Sequence, residues 1–527
     1  MFISALLTLA LVQTPKNLKI DPLMIAQAAE AWSVIGSKDN PVWPGWNAKE
    51  TPILIYMPDV QDVLINHPKP PAGFAPYDGP IHFPGGKIWI KDGPTITPYD
   101  GQNTSIDVNG VGTLVLADTL STRRQNLQGL VEQARGGTGD MKDAIDGFLH
   151  PNPYDGLAMV VHEAFHVYQG RRAPGKGGTE SDLVDYPSLS VENNVGFALE
   201  GETLRAEAQA KTAEERRRLA VRWLAIRRER RKHLSPSMTA YEDGTEFNEG
   251  TAKYTEYRLF QALEGRQPSH DMWLVQSFHG FSDLSAERSR LLDHMVDIMS
   301  GKVNVNNDPY GASPVRFRLY FSGMGIGALL DSLGAQWHEA IFQPKVSLTS
   351  LAEQAIHATP QELDAAWSEV VDSARYKELT TEKDKLAKDG EAYIQKAVQE
   401  FDSAPGQLVI DYSGLTKPRV GLAFTPFGIL RIDDSRSMYR LLPVRGIVND
   451  LNFAEDSARP VLQDRMKKQL VIQLTGAMTE ADLDKAAPGW RNGPVKLDSL
   501  QLPGVSLKKV SATIRLEGKW IVLVPAS

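Results

Sequence analysis

The distribution of apolar and polar positions divides the chain into three parts. In residues 15–140, short apolar or alternating runs such as TPILIYM, GGKIWIKDG and GVGTLVLADTL are separated by stretches rich in Gly and Pro. Runs of this length that are bounded by turn residues are typical of β-strands. We therefore predict a mixed α/β or mainly β region for this part.

Longer segments with helical spacing fill residues 141–375. The clearest are GLAMVVHEAFHVYQG, ENNVGFALEGETLRAEAQAK, AEERRRLAVRWLAIRRERRKHL, EFNEGTAKYTEYRLFQALEG and RFRLYFSGMGIGALLDSLG. Apolar residues that recur every three or four positions predict amphipathic helices, so this part is expected to be a mainly α-helical domain. A charged stretch, TTEKDKLAKDGEAYIQKAVQEF, predicts a helical linker at 376–404.

Strand-like runs return in the last part of the chain, residues 405–527. Examples are QLVIDYSG, VGLAFTPFGILRI, QLVIQLTG and KWIVLVP. They predict a C-terminal β domain, most simply a β-sandwich. The fold class expected for the whole chain is α+β, with a helical middle between two regions that contain strands.

Composition excludes several classes of function. The chain has 527 residues, of which 42% are hydrophobic and 23% charged, as in globular proteins. A net charge of −8 argues against a nucleic-acid partner, because proteins that bind polyanions usually carry an excess of Lys and Arg. With no cysteine in the chain, any metal must be held by His and carboxylates.

The chain opens with an apolar run, MFISALLTLALVQTPKN. It is too short to span a bilayer and is followed by polar residues and a proline, so residues 1–14 are predicted to be a signal peptide. No later stretch has the uninterrupted apolar length of a membrane-spanning helix. We therefore expect a protein without a transmembrane span that is secreted or periplasmic, with the bacterial cell envelope as a further location.

One helical segment carries a motif with metal chemistry. In VVHEAFHVYQG, His162 and His166 lie four positions apart, which places both imidazoles on the same face of a helix. Glu163 follows the first histidine directly. This is the HExxH arrangement, in which two imidazoles bind Zn²⁺ and the glutamate serves as general base. The alternative is that both histidines are ordinary helix residues with hydrogen-bonded side chains.

A catalytic zinc site of this kind needs a third protein ligand. The metzincin pattern places a glycine and a histidine after the motif, where this chain has Gln169 and Arg172, so that class is excluded. A carboxylate ligand is therefore expected. The candidates are Asp185, Glu200, Glu202, Glu207, Glu246 and Glu249.

The string NEGTAKYTEYRL resembles the third-ligand helix of gluzincin zinc metallopeptidases, especially enzymes like aminopeptidase N. Their pattern is Asn-Glu-Gly-x-Ala-x-Tyr-x-Glu. It is matched by Asn248, Glu249, Gly250, Ala252, Tyr254 and Glu256. The resemblance implies that Glu249 binds zinc and that small residues after it let the two zinc helices approach closely. With WPGW near its start and RFRLYFSG late in the helical part, the whole chain resembles poorly characterised bacterial secreted gluzincin-like proteins, and the part of the resemblance that carries motifs covers about a third of its length.

The chain departs from the gluzincin pattern in two ways. Glu249 follows His166 by 83 residues, a much longer interval than in the familiar gluzincins, so two additional helices are expected between the zinc helices. The usual interval falls on Asp185, and Glu200 in LEGETL imitates the Glu-Gly of the ligand helix; both remain alternative ligands. The Gly-Ala-Met-Glu-Asn motif of aminopeptidases is absent, so exopeptidase specificity does not carry over.

The segment between the two motifs predicts a pair of oppositely charged helices. The acidic helix carries Glu192, Glu200, Glu202 and Glu207, and the basic helix carries Arg216, Arg217, Arg218, Arg222, Arg227, Arg228, Arg230 and Arg231. Such helices most simply pair with each other as a solvated, ion-paired hairpin, and a basic docking surface for an acidic partner is the alternative. Glu200 or Glu202 could also orient His162 or His166 through the distal imidazole nitrogen.

Peptide hydrolysis also needs a hydrogen-bond donor for the developing oxyanion. In gluzincins this donor is often a Tyr or a His. Tyr320, in RFRLYFSGMGIG, is the preferred candidate because small residues follow it and allow close helix approach. His279 and Tyr310 are alternatives, and Tyr254 is expected in the core. GTLVLADTL could be an edge strand that pairs with an extended peptide, or an inner strand.

The sequence therefore predicts a secreted zinc metallopeptidase that acts on a peptide or protein substrate. One Zn²⁺ per chain is expected on His162, His166 and Glu249, with Glu163 as general base and Tyr320 as oxyanion donor. The alternative is a catalytically inactive gluzincin-like protein that acts as a binding or scaffold protein.

Overall fold

The computed structural model describes residues 17–526 except 80, 85, 137–140, 304–307, 309 and 426–427. The predicted signal peptide, 1–14, lies outside the described residues. The elements confirm the α+β class, with an N-terminal β region, a helical middle and a C-terminal β half-barrel. Within the described part, no helix has both the length and the apolar character needed to cross a bilayer.

The N-terminal region combines one sheet with three helices. Its elements are α1 (Pro22–Ile35), β1 (Ile53–Met57), β2 (Gln61–Ile65), β3 (Ala75–Pro76), β4 (Ile88–Asp92), β5 (Thr104–Val108), β6 (Val111–Ala117), α2 (Thr119–Gly136) and α3 (Met141–Leu149). The three apolar runs singled out in this region form β1, β4 and β6, which confirms them as strands. No segment singled out from the hydrophobic pattern covers α1 or α2.

The N-terminal sheet has the strand order β3-β4-β2-β1-β6-β5. β1 and β6 are parallel, with Ile53 opposite Leu114, and the other neighbours are antiparallel. Central strands are buried on both faces, which is why β1 reads as a continuous apolar run. Since β6 lies between β1 and β5, GTLVLADTL is an inner strand, and β5 is the edge on that side of the sheet.

The helical middle contains every helix predicted there. Its elements are α4 (Asp155–Arg172), α5 (Val191–Gln209), α6 (Ala213–Arg231), α7 (Pro236–Thr245), a π-helical turn (Glu246–Gly250), α8 (Thr251–Leu263), α9 (Ser285–Ser300), α10 (Ser313–Ser332), α11 (Leu348–Ile356), α12 (Pro360–Asp372) and α13 (Ala374–Asp402). α7, the π turn and α8 follow one another without a break. α13 covers the charged stretch that was predicted to be a helical linker.

The C-terminal strands form one sheet of 11 strands. The elements are β7 (Gly406–Asp411), β8 (Val420–Ala423), β9 (Leu430–Arg431), β10 (Arg436–Tyr439), β11 (Arg445–Val448), β12 (Leu451–Glu455), β13 (Val461–Asp464), β14 (Gln469–Leu474), α14 (Glu480–Ala486), β15 (Val495–Leu502), β16 (Val505–Glu517) and β17 (Trp520–Pro525). Their order is β8-β11-β12-β16-β17-β7-β14-β13-β10-β9, and β15 also pairs with β16. The expectation of a two-sheet sandwich was therefore wrong, because a long β16 accepts three neighbours and keeps the strands in one half-barrel.

The chain divides into two compact units, each built from separate stretches of sequence. The first consists of the described residues of Met1–Lys176, Thr251–Leu291 and Gln336–Val346. The second consists of those of Gly177–Gly250, Leu292–Ala335 and Ser347–Ser527. In the first unit, α4 packs against α1, α8 and the β5 and β6 strands.

A buried network of ion pairs holds the second unit together. Arg227 contacts Glu200 at 2.9 Å and Glu246 at 2.5 Å, and Arg230 contacts Glu200 at 2.6 Å and Glu242 at 2.5 Å. All five side chains are fully buried. The predicted pairing of α5 with α6 is confirmed. The expectation that these helices are solvated was wrong at Arg227 and Arg230, whose ion pairs are buried. These arginines point inward, so they cannot belong to a basic docking surface.

The network predicts that replacing a buried arginine of α6 lowers the free energy of unfolding much more than replacing an exposed one. Arg227→Ala removes one of the two arginines that pair with buried Glu200 and the nearer of the two that pair with buried Glu246, which should cost about 3–5 kcal/mol of unfolding free energy. Arg217→Ala is the control, because its pair with Glu362 is half exposed and should contribute at most about 1 kcal/mol. Urea denaturation followed by circular dichroism measures both. Equal midpoint shifts for the two variants would contradict the buried network.

Candidate metal centre

α4 presents the HExxH motif on its surface. His162 is buried, His166 is half-buried, and their ring centroids are 4.9 Å apart. The adjacent side of the helix is apolar and buried at Val161 and Phe165. Asp155 in the first turn and arginines in the last turn complement the helix dipole. The sequence therefore forms a helix at this place that turns both imidazoles to one side.

The third predicted ligand, Glu249, lies in the π-helical turn that leads into α8. A π turn inserts one residue into a helix, changes the direction of the following side chains and is frequent at functional sites. Glu249 is buried, with 8% of the residue exposed. His162, His166 and Glu249 each offer one ligand atom, and these atoms all lie within 4.8 Å of one another. Among the described residues no other group of three or more His, Asp or Glu is arranged in this way.

Two nitrogens and one oxygen are the protein donor set of many catalytic zinc sites. Donors bound about 2 Å from one ion are at most ~4 Å apart, so the group needs side-chain adjustments of about 1 Å to close on Zn²⁺. The arrangement thus fits the metal that the sequence predicts.

A buried carboxylate orients the first histidine. His162 Nδ1 lies 2.8 Å from Glu256 Oε1, and Lys253 lies 2.8 Å from the other carboxylate oxygen. Burial would raise the pKa of Glu256, but Lys253 and His162 outweigh this effect and lower the pKa to about 2. Glu256 is therefore an anionic acceptor at neutral pH, and His162 donates to it from Nδ1. In this tautomer the lone pair is on Nε2, as a metal ligand requires.

An amide orients the second histidine in the same way. His166 Nδ1 lies 2.8 Å from Gln169 Oε1, and the Gln169 amide nitrogen donates to Thr251 Oγ1 at 2.8 Å. Because the amide nitrogen is committed to Thr251, the oxygen faces the imidazole and accepts from Nδ1. Both histidines therefore present Nε2 as the acceptor nitrogen, and residues of α8 contribute to both arrangements.

A tryptophan from the N-terminal region packs against both helices of the site. Trp43, in WPGW, is fully buried and lies 4.5 Å from Phe165 and 5.8 Å from Tyr254, measured between ring centroids. Phe165 is on α4 and Tyr254 on α8, so the indole fixes the spacing of these helices. Tyr254 is a core residue, as expected, with its hydroxyl 3.1 Å from His338 Nε2.

Two glycines let the ligand turn approach a neighbouring helix of the second unit. A Cβ on Gly323 of α10 would lie 2.6 Å from Gly250 Cα and 2.8 Å from the Glu246 carbonyl oxygen. Real Cβ atoms do not approach backbone so closely. The small residues after Tyr320 therefore allow the close helix approach that the sequence predicted. Their neighbour is the π turn that carries Glu249.

The alternative third ligands are engaged elsewhere. Asp185 pairs with Arg465 at 2.6 Å, and Glu200 belongs to the buried network around Arg227. Glu202 pairs with Arg375 at 2.6 Å.

The expectation that Glu200 or Glu202 orients a ligand histidine was therefore wrong, and Glu256 has that role for His162. Its position seven residues after Glu249 could have indicated this, since such residues share a helix face.

Tyr320 lies beside the Glu249 partner Arg316. The Arg316 guanidinium carbon is 5.5 Å from the Tyr320 ring centroid and its Nη2 is 3.0 Å from Glu249 Oε1. Of the alternative donors, Tyr310 packs against Tyr393 and His279 is exposed. Glu163 is half-buried on α4, next to His162.

Comparisons with known proteins add no family to this description. No protein-family model, no curated protein and no solved structure matches the chain. The description of the site therefore depends on the residues and geometry of this chain.

The contact between Glu256 and His162 predicts a loss of metal affinity. Glu256→Gln removes the anionic acceptor behind His162, a predicted ligand, which should weaken zinc binding by about 10- to 100-fold. Competition with a chromophoric chelator measures the dissociation constant. Glu202→Gln is the matched control, since its partner is Arg375 and its variant should bind zinc as the parent does. Equal affinities for the two variants would remove Glu256 from the site.

The glycine contact predicts a steric effect at α10. Gly323→Ala should destabilise the protein by about 1–3 kcal/mol, because backbone atoms of the π turn cannot rotate away from the new methyl group. Gly170→Ala, on α4, meets nothing within 4 Å and should be neutral or stabilising by up to ~1 kcal/mol. Thermal melting compares the two. A Gly323→Ala variant as stable as Gly170→Ala would disprove the close approach.

Proposed function

We propose that the protein is a zinc-dependent metallopeptidase with one Zn²⁺ bound by His162, His166 and Glu249. The observation that carries the proposal is the combination of this donor group with an acceptor on Nδ1 of each histidine. Hydrogen-bonded core histidines need no common meeting point, whereas zinc ligands must each direct an unprotonated nitrogen at one point, and an acceptor on Nδ1 leaves Nε2 unprotonated.

The residue between the ligands favours catalysis over simple metal storage. Glu163 follows His162 directly on α4, so its carboxylate is on the adjacent side of the helix, one residue from the metal-binding face. A purely structural metal site has no chemical need for a carboxylate at this place. The sequence between the ligands therefore supports an enzyme more than a scaffold.

Zinc would act as a Lewis acid and lower the pKa of a bound water toward neutrality. Glu163 is assigned the role of general base: it takes a proton from the attacking water and returns it to the leaving amine. Tyr320, half-buried next to Arg316, is assigned the donation of a hydrogen bond to the carbonyl oxygen of the scissile peptide.

An extended peptide would bind along the edge of the N-terminal sheet. β5 is the edge strand next to β6, and it contacts α4 in the first unit. Backbone groups on a sheet edge bind extended peptides by strand addition, with little dependence on side chains. The sequence suggested GTLVLADTL as the edge strand that pairs with a peptide, and we assign this role to β5 instead.

The proposal predicts different effects on binding and turnover for one substitution. Glu163→Gln should keep about one zinc per chain, because it changes no ligand, and should lower peptide hydrolysis at least ~100-fold, because the general base is lost. Elemental analysis and a fluorogenic peptide library, with and without a chelator, measure the two properties. Glu353→Gln, an exposed change on α11, is the control.

The outcomes separate the proposed function from its alternatives. Parental turnover in Glu163→Gln would exclude Glu163 as the base. Zinc binding without hydrolysis of any library member would favour the inactive binding or scaffold protein. Purified protein that takes up no zinc would contradict the metal centre itself.

A further inference from the structure

In the second unit, Glu249, Arg316 and Glu180 form a row of three charged side chains. Arg316 of α10 donates from Nη2 to Glu249 Oε1 at 3.0 Å and from Nη1 to Glu180 Oε1. Tyr241 donates to the other oxygen of Glu180 at 3.3 Å. The exposed fractions of the Arg316 and Glu249 side chains are 16% and 10%, so water screens their pair only partly. Two carboxylates thus share one guanidinium.

The guanidinium remains a cation in this environment. A guanidinium keeps its proton at physiological pH, and the carboxylates of Glu180 and Glu249 both accept hydrogen bonds from this one. Arg316 is therefore a fixed positive charge within hydrogen-bond distance of a residue that is expected to bind a divalent cation.

We propose that Arg316 competes with the metal for Glu249, and that Glu180 counteracts it by holding Arg316 with its own carboxylate. The inference rests on the proposed zinc site and concerns how the affinity of that site is regulated. When the metal binds, it replaces Arg316 as the cation that compensates the charge of Glu249.

Thermodynamic linkage gives the direction of each effect. The attraction between Arg316 and Glu249 is strongest when Glu249 is an uncompensated anion and weaker when a divalent cation neutralises it. An interaction that stabilises the metal-free state more than the metal-bound state lowers metal affinity, and the coupling is reciprocal. Glu180 raises the metal affinity. Its carboxylate attracts Arg316 away from Glu249, and its negative charge also stabilises a cation bound nearby.

Opposite effects of two substitutions test the proposal. Arg316→Gln should strengthen zinc binding by about tenfold, since the competing charge is gone. Glu180→Gln should weaken zinc binding by about tenfold, since Arg316 then pairs with Glu249 alone. Dissociation constants from competition with a chromophoric chelator measure both. A merely structural role for this cluster would lower affinity in both variants.

A matched pair elsewhere in the second unit provides the control. Arg375 and Glu202 form an ion pair of the same type, and the Arg375 partners in the described residues are Glu202 and Glu378. Arg375→Gln and Glu202→Gln should leave zinc affinity within about twofold of the parent. Circular dichroism checks that each variant folds. If Arg316→Gln fails to fold, Glu180→Gln still tests the proposal, because Arg316 and Glu249 remain in place.

Melting temperatures give a second readout. Arg316→Gln should destabilise the metal-free protein more than the zinc-loaded protein, because zinc compensates Glu249 in the latter. Shifts of the same sign in both zinc affinities, or no shift in either, would overturn the role of Arg316 while leaving the zinc site intact. A parent protein that binds no zinc would overturn the proposed function itself, so the two failures are distinguishable.

Discussion

The packing of α4 against α8 is the constraint on which the candidate centre depends. Two of the candidate ligands lie on α4, the third lies in the π turn directly before α8, and Glu249 follows His166 by 83 positions in sequence. Trp43 contacts a ring on each helix. Glu256 of α8 orients His162, and Thr251 of α8 holds the Gln169 amide that orients His166. A change in the spacing of these helices would therefore disturb ligand positions and ligand tautomers together.

The segment between the motifs contributes through buried charge. Arg227 and Arg230, with Arg231 beside them, pair with three buried carboxylates, and one of these, Glu246, begins the π turn that carries Glu249. Removing one partner from such a network leaves a charge in a medium of low polarity, which is costly. The ion-pair network therefore holds Glu246 at the start of the π turn, and the contact with Gly323 of α10 holds Gly250 at its end.

The sequence predicted the features that depend on local spacing. Helical periodicity identified α4 to α6, α8 and α10, and the two motifs identified the three side chains that the structure brings together. It could not predict which charges are buried, because Arg227 and exposed Arg217 look alike within one helix and differ only in tertiary packing. The β5 edge and the single C-terminal sheet also escaped prediction, since strand order depends on long-range pairing.

Anomalous diffraction at the zinc absorption edge, from crystals grown with zinc, tests the central claim most directly. The account predicts one peak per chain, at about 2.0–2.2 Å from Nε2 of His162, from Nε2 of His166 and from a carboxylate oxygen of Glu249. A peak bound through Nδ1, a peak that involves Asp185 or Glu200 in place of Glu249, or no peak at these residues would contradict it.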